Sequence, residues 1–132
     1  MIMKAYTDLE QSKKLAEILP IESADTYYTT FYGKFTKDFP IPKELYDTIK
    51  YPINMDKVVP SWSLASLLNY LREIDFFPKI EANEFSVTMN VCYYDKNEGK
   101  VLTPVHEIKV EAESFVDACY ELILKLNEMK IL

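Results

Sequence analysis

The sequence is short of the residues that build the commonest active sites. It has only two glycines, Gly33 and Gly99, two cysteines, Cys92 and Cys119, one histidine, His106, and one arginine, Arg72. Phosphate cradles need clustered glycines so that backbone amides can approach the ligand, and isolated glycines make neither a Walker loop nor a dinucleotide fingerprint. Zinc takes about three or four ligands, often in closely spaced pairs, and no such pairs occur here. No metal and no cofactor is expected. A single arginine provides poorly for clamping phosphate or reading guanine.

Charge excludes a second class. The chain carries 15 basic and 21 acidic side chains, a net charge of −6. The excess is uneven, −1 over residues 1–80 and −5 over residues 81–132. Nucleic-acid binding rests on clustered Lys and Arg, so a nucleic-acid partner is not expected. The acidity reads first as a solubility device.

A Cys–His nucleophile is also poorly supported. Cys92 falls on the polar phase of its segment and His106 on the apolar phase of its own. Cys119 lies in an apolar helical stripe, where a thiol behaves as a small hydrophobe. Two cysteines do not make a disulfide framework, so both read as free thiols in a reducing compartment. The N-terminus lacks a leader pattern and no apolar run approaches about 18 residues. A cytoplasmic chain with no membrane span is the expectation.

What is present is an ordinary globular balance. The chain has 132 residues, 48% apolar and 27% charged, enough for one domain over 1–132 with its own core. A helix is expected from Asp8 to Leu19, capped by Thr7 with Glu10 as capping-box partner and stopped by Pro20. Residues 26–35 are aromatic and β-branched and read as a strand. Residues 38–60 are punctuated by proline and read as irregular, with a short helix over 43–49. Ser63 caps a second helix, with Leu64, Leu67, Leu68 and Leu71 on one face and Trp62 placed for a hydrophobic staple. Phe85, Val87, Met89, Val91 and Tyr93 alternate with polar residues, and His106, Ile108, Val110 and Ala112 return on one face. That is an antiparallel hairpin over 85–112. Ser114 caps a last helix, with Asp117 as box partner. The pattern predicts an α+β fold, a small antiparallel sheet of about three strands with helices on one face. So few strands leave room for pairing between copies of the chain.

Glu107, Glu111 and Glu113 share the solvated phase of the hairpin's second strand, an arrangement that serves solubility or discourages edge pairing. Aromatics are the unusual surplus: ten tyrosines, seven phenylalanines and one tryptophan, 14% of the chain. Either they fill a small core, or some stand exposed as anchors for a partner. Tyr27, Tyr28, Tyr32 and Trp62 are the candidate anchors.

Two segments carry a resemblance. Pro60-Ser61-Trp62-Ser63-Leu64-Ala65-Ser66-Leu67-Leu68 resembles the PxWSLxxLL segment of small proteins carried by gut anaerobic bacteria, their phages and mobile elements. Val116-Asp117-Ala118-Cys119-Tyr120-Glu121-Leu122-Ile123 resembles the VDACYEMI-like helix of the same group. Leu19 to Asp25 also fits, while Phe115 stands where a proline is common. The resemblance implies a phage or mobile-element origin and no particular activity.

The residues favour a non-enzymatic protein-interaction or accessory module. The alternatives are a small-molecule-binding protein or unfamiliar enzyme, and an acidic mimic of nucleic acid.

Overall fold

The computed structural model describes residues 4–31, 34–35, 40–44, 58–94 and 105–132. Among them are three α-helices and two antiparallel sheets, an α+β fold. The helices are α1 (Leu9–Ala16), α2 (Leu64–Glu73) and α3 (Phe115–Glu128). The strands are β1 (Thr26–Phe31), β2 (Lys34–Phe35), β3 (Ile41–Pro42), β4 (Val58–Ser61), β5 (Lys79–Ala82), β6 (Val87–Tyr94) and β7 (Val105–Ala112).

The expected hairpin is the spine of one sheet. β6 and β7 pair from Val87↔Ala112 to Tyr94↔Val105, and β5 adds to β6 with Ile80 opposite Met89. Among the described residues the order β5-β6-β7 leaves β5 and β7 as edges. Val87, Met89, Val91, Ile108 and Val110 are buried on one face, beneath α2 and α3. Glu107, Lys109 and Glu111 are exposed on the other. Period-two alternation turns directly into a covered and a wet face.

A single sheet was expected, and there are two. In the second, β1 is central. β4 pairs with it from Thr26↔Ser61 to Thr29↔Val58, while β3 pairs at Thr26 and Tyr27 and β2 at its far end. β3 and most of β4 fall in the stretch 38–60, which its prolines made read as irregular. Proline cannot donate to a ladder, but an edge strand with one partner tolerates it. β5 was not expected either, since Lys-Ile-Glu-Ala carries little strand propensity. The helix expected over 43–49 falls mostly outside the described residues.

The helix starts follow their caps closely. Ser63 Oγ accepts from Ser66 N–H at 3.2 Å and Ser114 Oγ from Asp117 N–H at 3.0 Å. At α1 the cap is Asp8, not Thr7. Asp8 Oδ1 accepts from Gln11 N–H at 2.8 Å, and the Gln11 side chain accepts from Asp8 N–H at 3.1 Å. α1 also ends at Ala16, short of Leu19.

Scarce glycine shows at the helix ends. A left-handed residue normally closes a helix, and glycine is the usual choice. Here Asp75 (φ 64°) and Lys130 (φ 58°) serve. Phe76 N–H then bonds Leu71 C=O at 2.8 Å, and Ile131 N–H bonds Leu126 C=O at 3.0 Å. Phe76 and Ile131 both pack against the core, which offsets the cost of the left-handed turn.

One core joins the elements. Leu15 and Leu19, Trp62, Leu67 and Leu71, the inner face of β6 and β7, and Leu122, Ile123 and Leu126 form one buried cluster. Each fully buried Leu or Ile contributes about 1.5–3 kcal/mol relative to exposure.

Candidate functional site

The candidate aromatic anchors are mostly interior. Tyr27 is 8% exposed, Tyr28 3% and Trp62 0%, while Tyr32 lies outside the described residues. The expectation that Tyr27, Tyr28 and Trp62 present rings to a partner is therefore corrected. β1 is a central strand with partners on both edges, and α1 packs against the neighbouring β4.

Tyr28 and Trp62 belong to a polar joint that ties the N-terminal segment to β1 and α2. Thr7 is its hub. Thr7 Oγ1 accepts from Trp62 N–H at 3.1 Å and shares a 2.8 Å bond with Ser12 Oγ. Thr7 C=O accepts from Tyr28 Oη at 2.8 Å, and Thr7 N–H donates to Trp62 C=O at 2.9 Å. Trp62 Nε1–H donates to Ser23 Oγ at 2.9 Å. Asp25 takes Ser63 N–H at 2.9 Å and the Ser63 hydroxyl, and Thr26 Oγ1 meets Ser61 Oγ. Burial pushes the Tyr28 phenol up, reinforced by Asp8 and Tyr6.

Among the described residues the joint has hydroxyls and a carboxylate but no imidazole or neutral amine placed to take a hydroxyl proton. Ser63 Oγ is already committed to Asp25 and to its own helix cap. Buried polar groups bonded this fully fix a unique packing. The joint is architecture.

The thiols are separate. Cys119 is buried, with Sγ 3.7 Å from Met89 Sδ, and burial pushes its thiol up to about 12. Such a thiol is a core side chain and not a nucleophile at neutral pH. Cys92 is exposed, opposite Glu107 in the β6–β7 register. The His106 side chain is outside the described set. Among the described residues no group of His, Cys, Asp and Glu is placed to hold a metal ion. None of their helices is long and apolar enough to cross a membrane.

One open cleft of about 420 Å³ lies between α1, β7 and α3, lined by Gln11, Lys109, Glu111, Asp117, Glu121 and Lys125. Its most constrained group is Asp117. Burial would raise the Asp117 carboxyl, but hydrogen bonds from Lys4, Gln11 and Ser114 and the Lys4 charge outweigh it and hold the group below the usual carboxylate range. Lys4 Nζ and Gln11 Nε2 each reach Asp117 Oδ1 at 2.8 Å. The reciprocal capping bond expected of Asp117 is therefore replaced by a long-range tie to the N-terminal segment. Both signs of charge line the cleft, and Lys109 interrupts the exposed row of Glu107, Glu111 and Glu113.

The largest exposed apolar groups gather elsewhere. Phe77 is 67% exposed, Phe85 80% and Ile80 38%, and every residue of β5 is exposed. Phe85 was expected to start the inward face of the hairpin. It lies instead in a turn closed by Asn83, whose Oδ1 accepts from Phe85 N–H at 2.8 Å and Ser86 N–H at 2.9 Å. The turn directs Phe85 away from the core that receives Val87. Phe77 and Phe85 thus flank β5, which among the described residues has a strand partner on one edge only. Sequence reasoning missed this surface. Phe85 fitted the strand alternation and so read as core, and only Phe77 stood outside every helical or strand stripe.

No family model matches this chain, and neither the curated proteins nor the solved structures include a match.

Proposed function

We propose that the chain is a non-enzymatic protein-interaction module, an accessory factor of a phage or mobile element that acts in the cytoplasm. One observation carries this reading. Among the described residues the two most exposed aromatic side chains, Phe77 and Phe85, bracket an edge of β5 that none of those residues pairs. Exposed apolar groups beside a free strand edge are a recognition surface: the edge supplies main-chain hydrogen bonds and the rings supply burial. The sealed joint around Thr7 and the buried Cys119 contribute stability and leave that surface as the working part.

The test is capture from host lysate on the tagged chain. A partner held at stoichiometric level, and lost from a folded variant carrying Phe77→Ser and Phe85→Ser, supports the reading. Capture unchanged by that variant removes this surface from it.

A second reading, a small-molecule-binding protein, is favoured by the cleft at Asp117. An anionic or zwitterionic ligand there would meet Lys109 and Lys125. A thermal-shift screen whose hits vanish in Lys125→Ala would support it.

A further inference from the structure

We infer that the edge of β5 pairs with β5 of a second copy of this chain, antiparallel, with Ile80 opposite Ile80 across a twofold axis. The inference rests on the interaction-module reading and names its partner.

Main-chain geometry sets which groups are available. Asn83 N–H donates to Ser86 C=O at 3.0 Å, continuing the β5–β6 ladder into the turn. Antiparallel bonding alternates, so Glu81 and Lys79 turn their main-chain groups toward β6. Ile80 and Ala82 turn theirs to the other edge, which no described residue pairs. With Ile80 on the axis, each Ile80 N–H meets the other copy's Ile80 carbonyl. Each Ala82 N–H meets the other copy's Pro78 carbonyl. Pro78 has no N–H to offer, but at this position its carbonyl is the group that contributes.

Side-chain charge selects the register. Lys79 and Glu81 are both exposed on the outer face and lie 3.3 Å apart within one strand. With Ile80 on the axis, Lys79 of each copy stands opposite Glu81 of the other. Centring the pair on residue 79 sets Lys79 against Lys79, and centring it on residue 81 sets Glu81 against Glu81. Like charges directly opposite are destabilising and opposite charges are favourable. A lysine and a proline guard an edge against indiscriminate pairing. Of the registers centred on residues 79, 80 and 81, the one centred on Ile80 alone sets no like charges opposite.

The same register gathers the apolar groups. Ile80 shares the helix-covered face with Met89, so the two copies' Ile80 side chains meet along the rim of the core. Phe77 of each copy falls opposite Asn83 of the other, beside the turn that carries Phe85. A residue that contacts a different residue on its copy, and is contacted in return, is the signature of an isologous interface. The three-stranded sheet is doubled, with helices on the same face of both halves.

Sedimentation equilibrium over a concentration series tests the pairing. The expected result is a monomer–dimer equilibrium that ends at twice 15.4 kDa. Lys79→Glu sets like charges opposite at both symmetry-related places and is expected to weaken the dimer about tenfold. Adding Glu81→Lys to that variant restores opposite charges across the axis and should restore the dimer. Ile80→Pro removes an outward N–H without touching the ladder to β6, and should give a monomer with an unchanged circular dichroism spectrum. A wild-type chain that is monomeric at every concentration overturns the self-pairing, while lysate capture through Phe77 and Phe85 then still decides the module reading. A dimer indifferent to both Lys79→Glu and Ile80→Pro also overturns it, by placing the contact on another face.

Discussion

β1 carries aromatic residues and β5 is bracketed by them, and the two sets meet opposite fates. β1 holds Tyr27 and Tyr28, 8% and 3% exposed, while β5 is flanked by Phe77 and Phe85 at 67% and 80%. Phenylalanine is the more apolar ring, yet it is the one left in water. The difference lies in position within a sheet. β1 is central, paired on both edges, and Tyr28 Oη finds a buried acceptor at Thr7 C=O. Among the described residues β5 has one partner, and the turn after it is shaped by Asn83 so that Phe85 points outward. Burial is awarded by neighbours and hydrogen-bond partners, not by side-chain hydrophobicity alone.

The comparison can be broken most forcefully at the joint beneath β1. Trp62→Ala removes a fully buried indole and leaves Ser23 Oγ without that donor, and should cost about 3–5 kcal/mol in urea unfolding. Thr7→Val keeps the shape of the hub but strands Trp62 N–H and leaves Ser12 Oγ only its 3.4 Å bond to Thr7 C=O. An expected loss of about 1–3 kcal/mol follows from burying unpaired polar groups. A loss near zero would mean that the joint is hydrated and not sealed.

Asp117→Asn sharpens the picture at the half-buried tie between the N-terminal segment and α3. Its carboxyl is held below the usual range in the folded state, so its contribution is present above that range and is lost as pH falls through the folded value. The variant should be about 1 kcal/mol less stable at neutral pH, discounted for partial exposure. It should converge with the wild type in strong acid. Equal gaps at both pH values would assign the tie to shape alone. The smallest stability effect belongs to the edge. Phe85→Ser should change unfolding free energy by less than about 0.5 kcal/mol, because the ring has little burial to lose within one chain. The same variant should weaken association, and a large stability loss would show that the ring packs within the chain.

Capping was readable where one residue had one role. Ser63 and Ser114 each precede an apolar stripe and each caps as expected. At α1 the pattern Thr-x-x-Glu and the pattern Asp-x-x-Gln overlap by one residue. The second prevailed because Thr7 Oγ1 is taken by Trp62 N–H and Ser12. Nothing local announces that competition, since Trp62 lies far along the chain. The hairpin was readable for the same reason as the caps: alternation in 87–91 and 108–112 is a local pattern. β4 and β5 were not, because a proline and a run of weak strand formers become strands only when β1 and β6 offer a ladder.

By itself, the sequence determined the α+β class, two helix starts, the inward faces of α2, α3, β6 and β7, and the burial of Cys119. These depend on spacing, and spacing is written in the chain. Only the tertiary structure decided which aromatics face water, which carboxylate meets Lys4, and which strand is left with a free edge. Those outcomes depend on residues distant in sequence competing for the same donors, acceptors and space, and the competition is settled only when the elements pack.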